Sequence, residues 1–252
     1  MTHRPTSRTA CFMHSTCAFL VLAFGGALQA AEIPPTAGRI QLFNGKSLEH
    51  FDTFLQDKGW NNDPDRVFRV QGGMVRVSGK EFGYFVTKEE YGDYYLRAEF
   101  KWGEETHDPR KENARDSGIL YHVVGEHKIW PRSIEFQIIE GGTGDIIVLD
   151  GAELTVKGET KNRGRFDRFN KGPWKDETGY RDPAGEVEKR RGQWNVVEMV
   201  ADGDHVKYWV NGRVVNEGTK ASLTRGKILF QSEGAEIFFR RIELRLFKKN
   251  TK

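Results

Sequence analysis

Along most of the chain apolar and polar residues alternate one by one, the period of a strand with one face buried and the other wet. From Ile40 onward short stretches of this kind are separated by Gly, Asn and Asp turns, and helical periodicity is nearly absent. The alternation predicts strands at Val67–Val70, Met74–Val77, Tyr84–Val86, Tyr94–Trp102, Gly118–Val124, Ser133–Ile139, Ile146–Leu149 and Leu154–Lys157. A second set comes at Trp194–Val200, His205–Val210, Arg213–Asn216, Lys227–Gln231 and Glu236–Phe247. Asn211-Gly212 predicts a two-residue hairpin turn, because Asn and Gly tolerate the positive φ such turns demand, and Asp202-Gly203-Asp204 is a second tight turn. The expected fold is all-β. So many strands exceed an immunoglobulin-sized sandwich and favour a larger two-sheet jelly roll.

One stretch breaks the pattern. Residues 159–191 are polar and irregular, with Phe166, Phe169, Trp174 and Tyr180 set among Lys, Arg, Asp and Gly. A loop this long inside a compact domain is usually functional or disordered. Its aromatics fit an ordered lid or rim against a sugar-like ligand, and variable surface decoration is the alternative.

The first 31 residues differ in kind. Arg4 and Arg8 precede the apolar run Ala18-Phe19-Leu20-Val21-Leu22-Ala23-Phe24, and small residues close the segment at Ala30 and Ala31. That order predicts a cleaved signal peptide, and hence a periplasmic or secreted protein. Cys17 precedes the apolar run, so a lipoprotein signal is not matched, and both cysteines, Cys11 and Cys17, leave with the segment. Residues 32–252 then form one expected domain without disulfides, stabilised by its core. Removing Arg4 and Arg8 lowers the formal charge from +3 to +1, with acids and bases interspersed. No basic stripe argues for nucleic acid, and no further apolar run is long enough for a membrane span.

The candidate chemistry centres on Ser133-Ile134-Glu135-Phe136-Gln137-Ile138-Ile139-Glu140. Burial of Ile134, Phe136 and Ile138 would hold Glu135 and Gln137 together on the opposite face, roughly 7 Å apart. A carboxylate can move a proton or hold a cation, while a carboxamide can only orient a ligand. Glu99 and Gln231 alternate in the same way and are expected to line the same sheet. Asp116-Ser117-Gly118 opens the neighbouring strand, with Arg115 beside it as a fork for a sugar hydroxyl or carboxylate. By parity Tyr121 shares a face with Ser117, and His122 with Gly118, so only one of the two can face the site. Trp130, just before the central strand, joins Arg115, Ser117, Gln137, Glu99 and Gln231 as a candidate substrate-binding residue. There is no His-x-x-x-His pair and no cysteine cluster. No cofactor is required by the pattern, and a divalent cation on Glu135, Asp145 or Asp116 is the one the acids would allow. Neither a phosphate loop nor Gly-x-Ser-x-Gly occurs.

In order and spacing the chain resembles the 3-keto-disaccharide hydrolase family, also described as 3-keto-glucoside lyase/hydratase domains. The resemblance rests on Leu42-Phe43-Asn44-Gly45-Lys46-Ser47-Leu48, Asp116-Ser117-Gly118-Ile119, Ile134-Glu135-Phe136-Gln137-Ile138, Gly192-Gln193-Trp194-Asn195, Val210-Asn211-Gly212 and Phe238-Phe239-Arg240-Arg241-Ile242. Asp116 stands where many relatives carry Asn. The resemblance implies a concanavalin A-like jelly roll, exported, acting on glycosides whose C3 hydroxyl has been oxidised to a ketone. A sugar 3-oxidoreductase would then be its functional partner. It further implies Glu135 as base or ligand, with Gln137 and Arg115 orienting the keto sugar. Asp116, Tyr121, Asp145 and His122 compete for the acid and enolate-binding roles.

Two rival expectations stand beside it. A carbohydrate-binding module of the lectin kind would use Glu135 only as a hydroxyl acceptor. A conventional β-glucanase-type hydrolase would need Glu140 beside Glu135, which strict alternation forbids without a β-bulge.

Overall fold

The computed structural model describes Met1, Pro34 and residues 36–248. The expected signal peptide, with Cys11 and Cys17, therefore lies outside the described residues apart from Met1. Among the described residues there are strands and no helix, so no helix is long and apolar enough to cross a membrane. The chain begins with β1 (Thr36–Gln41), β2 (Phe51–Leu55), β3 (Gly59–Trp60), β4 (Phe68–Gln71), β5 (Met74–Val77) and β6 (Gly83–Thr87). Longer strands come after these, namely β7 (Tyr94–Thr106), β8 (Asp116–Val124) and β9 (Arg132–Ile139). Four short ones are next: β10 (Ile146–Leu149), β11 (Leu154–Val156), β12 (Glu159–Lys161) and β13 (Gly164–Phe166). The chain closes with β14 (Asn195–Asp202), β15 (His205–Val210), β16 (Arg213–Gly218), β17 (Lys227–Ser232) and β18 (Ala235–Phe247).

These strands make two antiparallel eight-stranded sheets. The first runs β16-β15-β14-β7-β18-β5-β4, with β1 also on β18, and the second runs β13-β10-β9-β8-β17-β6-β2-β3. A small ribbon, β11-β12, stands apart. The sheets are joined face to face by the alternating apolar residues seen in the sequence: Ala98 and Phe100 on β7, Ile134, Phe136 and Ile138 on β9, and Ile237 and Phe239 on β18. Phe85 stacks on Phe230 at 4.8 Å within the second sheet, and Phe239 of the first meets Phe230 at 5.2 Å across the interface. Burying a side chain of this size contributes about 2–3 kcal/mol, which makes these rings a principal adhesive of a sandwich that has no cysteine among its described residues. The expected jelly-roll sandwich is the observed fold.

Two local backbone features stand out. At Asn211-Gly212 the φ angles are 50° and 77°, as the hairpin turn requires. In β8 the register shifts between Tyr121 and Val124, and His122 takes φ 50°, the backbone signature of a bulge. That bulge breaks the parity expected for β8, so Tyr121 and His122 both turn into the core.

The sequence pattern overlooks β1, β2, β3, β12 and β13. β1 is an edge strand whose residues are mostly exposed, so no buried face imposes a period on it. β12 and β13 show that residues 159–191 are not irregular throughout. The remainder of that segment is pinned to the domain: Trp174 Nε1 donates to Glu140 O at 2.9 Å, and Tyr180 packs against Gly141, where a Cβ would meet its ring. Phe166 is buried in the core, and Lys157 lies over Phe169. The segment is an ordered rim, and these aromatics mainly anchor it instead of standing free as sugar platforms.

Candidate functional site

The outer face of the second sheet carries the polar residues of β8, β9 and β17. On β9, Glu135 and Gln137 alternate with the buried Ile134, Phe136 and Ile138, as the strand period dictates. Glu135 pairs in register with Leu120 on one side and Ile147 on the other, and Ile147 in turn pairs with Arg165 of β13. Two residues along β9, Gly118 opposes Gln137. Gly118 leaves room there for the Glu135 carboxyl and the Gln231 carboxamide, because a Cβ at residue 118 would overlap both.

Asp116 joins this group from the start of β8. Its Oδ1 accepts from Gln137 Nε2 at 2.6 Å, its other oxygen is paired with Arg110, and Arg110 also reaches Asp176 of the rim at 3.1 Å. Glu233, in the turn after β17, is half-buried and feels the charges of both Asp116 and Glu135. Three carboxyls and two guanidiniums, Arg110 and Arg165, thus influence one another in a poorly hydrated space. Gln231 Oε1 is buried there without a hydrogen-bond partner.

Burial governs the charge state. It pushes Glu135 up to about 8, with the neighbouring Asp116 charge adding to the rise and Arg165 opposing it. Asp116 is raised to about 7 by burial, although Arg110 and Arg165 pull it down. Glu233 is raised well above the usual carboxyl range, by burial and by the charges of Asp116 and Glu135. Glu135 and Asp116 therefore titrate close to neutrality, where protonated and ionised forms coexist and the pair can both accept and donate a proton.

Of the residues singled out in the sequence, Glu135, Asp116, Gln137 and Gln231 come together here. The others do not. Glu99 lies on β7 in the first sheet, where Arg97, Arg240 and Arg241 hold its carboxylate. Tyr121 is in the core with Tyr208 donating to its hydroxyl at 2.7 Å, and His122 shares a 2.9 Å hydrogen bond between Nδ1 and Leu223 O. Burial lowers His122 to about 4, so it stays neutral. Arg115 is drawn away from Asp116 into a buried ion pair with Glu140 at 3.0 Å. Ser117 donates to Gln231 O at 3.0 Å and so ties β8 to β17. Asp145 is fully buried and consumed by Lys171 and Arg165, while also accepting from the Arg168 backbone at 2.8 Å. Trp130 stands half-exposed in a neighbouring cleft of about 570 Å³ with Leu149 and Arg163.

Glu140 settles the two-glutamate arrangement. Its carboxylate accepts from Arg115 and from Gly179 N at 2.7 Å. Register between β9 and β8 is regular from Ile134 to Ile139, so no bulge in β9 brings the two glutamates to one face. Among the described residues no group of three or more His, Cys, Asp or Glu is arranged to hold a metal ion, and both oxygens of Asp145 are already engaged.

Glu233, Arg165 and Arg110 were not evident from the sequence. Glu233 was within reach of the period-2 argument, since it lies two residues beyond Gln231. Arg165 and Arg110 sit in short or irregular segments whose placement only tertiary contacts decide.

The two-sheet jelly roll thus holds buried carboxyls and carboxamides on one outer face, groups able to orient a polar ligand and to move a proton. This chain belongs to the 3-keto-alpha-glucoside-1,2-lyase-like domain family, whose model matches residues 38–245. Its fold is similar to that of a candidate glycosyl hydrolase from Parabacteroides distasonis ATCC 8503, at 19% identity and TM-score 0.55, over 84% of this chain and 94% of that one. A second such structure from the same organism gives 20% identity and TM-score 0.52, over 83% and 100%. LamAcat from Zobellia galactanivorans is similar at 9% identity and TM-score 0.50, over 85% and 98%. No curated protein matches the chain.

Proposed function

We propose that the protein cleaves 3-keto-glucosides by base-assisted elimination followed by hydration. A ketone at C3 acidifies the proton on C2. Glu135 takes that proton, the electron pair moves onto the ketone as an enolate, and collapse of the enolate breaks the bond from C1 to the leaving oxygen. Glu233 gives its proton to that oxygen. Water then adds at C1 of the enone, its proton returning through the same carboxyls, and the free 3-keto sugar leaves.

The observation that carries this reading is the carboxyl set at Glu135, Asp116 and Glu233 beside Arg165, in which Glu135 and Asp116 titrate near neutrality so that an ionised Glu135 is available as base, while Glu233 is pushed upward. Enolate chemistry needs one base, one acid and a fixed positive charge for the developing oxyanion, and Arg165 is the candidate for the last. Asp116 serves as a positioning and tuning group, held by Gln137 and Arg110. A sugar-binding module has no use for a cluster of acids in which Glu135 and Asp116 are buried at a cost.

Substrate for this reaction must come from an enzyme that oxidises a glucoside at C3. The export segment expected in residues 1–31 would put both steps outside the cytoplasm. The test is a time course with a 3-keto-glucoside and its unoxidised parent, following enone absorbance and released aglycone. Turnover of the keto compound alone is expected. Equal turnover of the parent, or saturable binding without turnover, overturns the proposal.

A further inference from the structure

The rim formed by residues 174–191 creates a second cleft, of about 420 Å³, lined by Trp102, Arg115 and Glu140 on the sheet side and by residues 178–181 and 188–191 of the rim. None of the acid cluster lines it. Arg115 and Asp116 are consecutive in the chain, yet Asp116 bonds with Gln137 on the outer face while Arg115 turns to Glu140.

The charges in this cleft do not balance. Arg115, Arg181, Lys189, Arg190 and Arg191 all line it, against the acids Glu140 and Glu188. Glu140 is already matched by Arg115, which also donates its backbone N–H to the same carboxylate at 3.0 Å. Glu188 is buried, accepts from Thr143 Oγ1 at 2.7 Å, and is pushed up to about 8 by desolvation, so it is mostly protonated and neutral at pH 7. Arg191 reaches Glu104 at 3.3 Å across an exposed pair, and Arg181 meets Glu186 only at 4.0 Å. Lys189 and Arg190 have no carboxylate partner among the described residues.

The floor carries a second sign of an occupant. Arg115 Nε is buried and makes no hydrogen bond, whereas Trp102 Nε1 is directed at the Glu188 carboxyl. A buried donor left open like Arg115 Nε is rare in folded proteins, and at the floor of a cation-rich cleft it marks a place where an acceptor belongs. The space is several times larger than a simple anion requires and suits one or two sugar rings.

We infer that this cleft binds a saccharide carrying an oxyanion, a carboxylate or a sulfate ester, at a site distinct from the Glu135 centre. The anion sits toward Arg115, with Lys189, Arg190 and Arg191 forming the cationic rim. The site does not depend on the elimination chemistry. An acidic sugar unit held there would anchor a longer glycan or glycoside while the Glu135 face works on another part of it.

The experiment is a calorimetric titration of the full chain with glucuronate, glucose 6-sulfate, neutral glucose and inorganic sulfate, repeated with Arg190→Ala/Arg191→Ala and with Glu135→Gln. Saturable binding of glucuronate or of glucose 6-sulfate is expected, at least tenfold tighter than glucose or inorganic sulfate. The double arginine variant should weaken it at least tenfold, and Glu135→Gln should leave it unchanged. Which of the two acidic sugars binds identifies the oxyanion. Binding of glucose as tight as that of the acidic sugars overturns the anion assignment, and equal binding of inorganic sulfate overturns the saccharide. No saturable binding, or no effect of the arginine variant, overturns the site. Because both exposed arginines lie outside the core, circular dichroism of that variant separates loss of the site from loss of the fold.

Discussion

Glu135 occupies the space that a side chain at Gly118 would fill. A Cβ there would overlap Glu135 Oε1 and Gln231 Oε1, and would stand 3.0 Å from the Glu135 carboxyl carbon. The glycine is required for room on the sheet, since its φ is not in the left-handed region. Gly118→Ala should therefore displace the carboxyl while leaving β8 paired with β9. The expected result is a fall of about 100-fold in kcat/KM on a 3-keto-glucoside, with a stability loss of about 1–3 kcal/mol. Parallel kinetics and thermal melts check it, and unchanged kinetics would remove Glu135 from the reacting centre.

Glu135→Gln should lower kcat at least about 1000-fold with a much smaller change in KM. It should also alter stability in a pH-dependent way. The native carboxyl titrates at about 8, above its usual range. The folded state then holds a proton that the unfolded state has released, so stability contributed by this group is full below the usual carboxyl range and lost as pH rises to about 8. Replacing it with Gln removes that loss, and the variant should be the more stable protein at pH 9 by on the order of a few kcal/mol. Urea unfolding at pH 5, 7 and 9 measures the slope.

In the proposed elimination Glu233 donates the proton to the leaving oxygen, so it should matter most where that oxygen is a poor leaving group. Glu233→Gln is expected to cost about 100-fold for an alkyl or sugar leaving group and little for a nitrophenyl one. A uniform loss across leaving groups would assign Glu233 to positioning instead.

Asp145 is the buried anchor of the rim, with Lys171, Arg165 and the Arg168 backbone all converging on it. Asp145→Asn leaves those cations under-compensated and should destabilise the protein by about 3–5 kcal/mol. Hydrogen exchange should rise first in residues 164–185, and Arg165 should lose its fixed position. Exchange confined to other segments would contradict this role.

Tyr121→Phe tests the bulge in β8. Because Tyr121 meets Tyr208 in the core, the change should cost about 1 kcal/mol of stability and leave kcat unaltered. A large fall in kcat with normal stability would return Tyr121 to the site.

The strand alternation made most of the sandwich legible, and with it the shared face of Glu135 and Gln137, because one-sided burial leaves its period in the residue order. Glu99 shows the limit of that logic: alternation tells which residues share a face of one strand and says nothing about which sheet the strand joins. His122 shows another. A single residue at positive φ reverses the parity of its successors, and His is not a residue that announces such a position. Arg165 and Arg110 acquire their roles from contacts between segments far apart in the chain, which no local pattern records.

β17 pairs with β8 on one side and β6 on the other. It also carries Gln231 and leads directly into Glu233, the parts of the cluster that β8 and β9 lack. A chain that stopped before Lys227 would possess Glu135 and Asp116, yet would have two unsatisfied strand edges where a seam should be. The strand that seals the sheet is thus the one that completes the acid cluster, so a partly assembled molecule lacks the set on which the proposed chemistry depends.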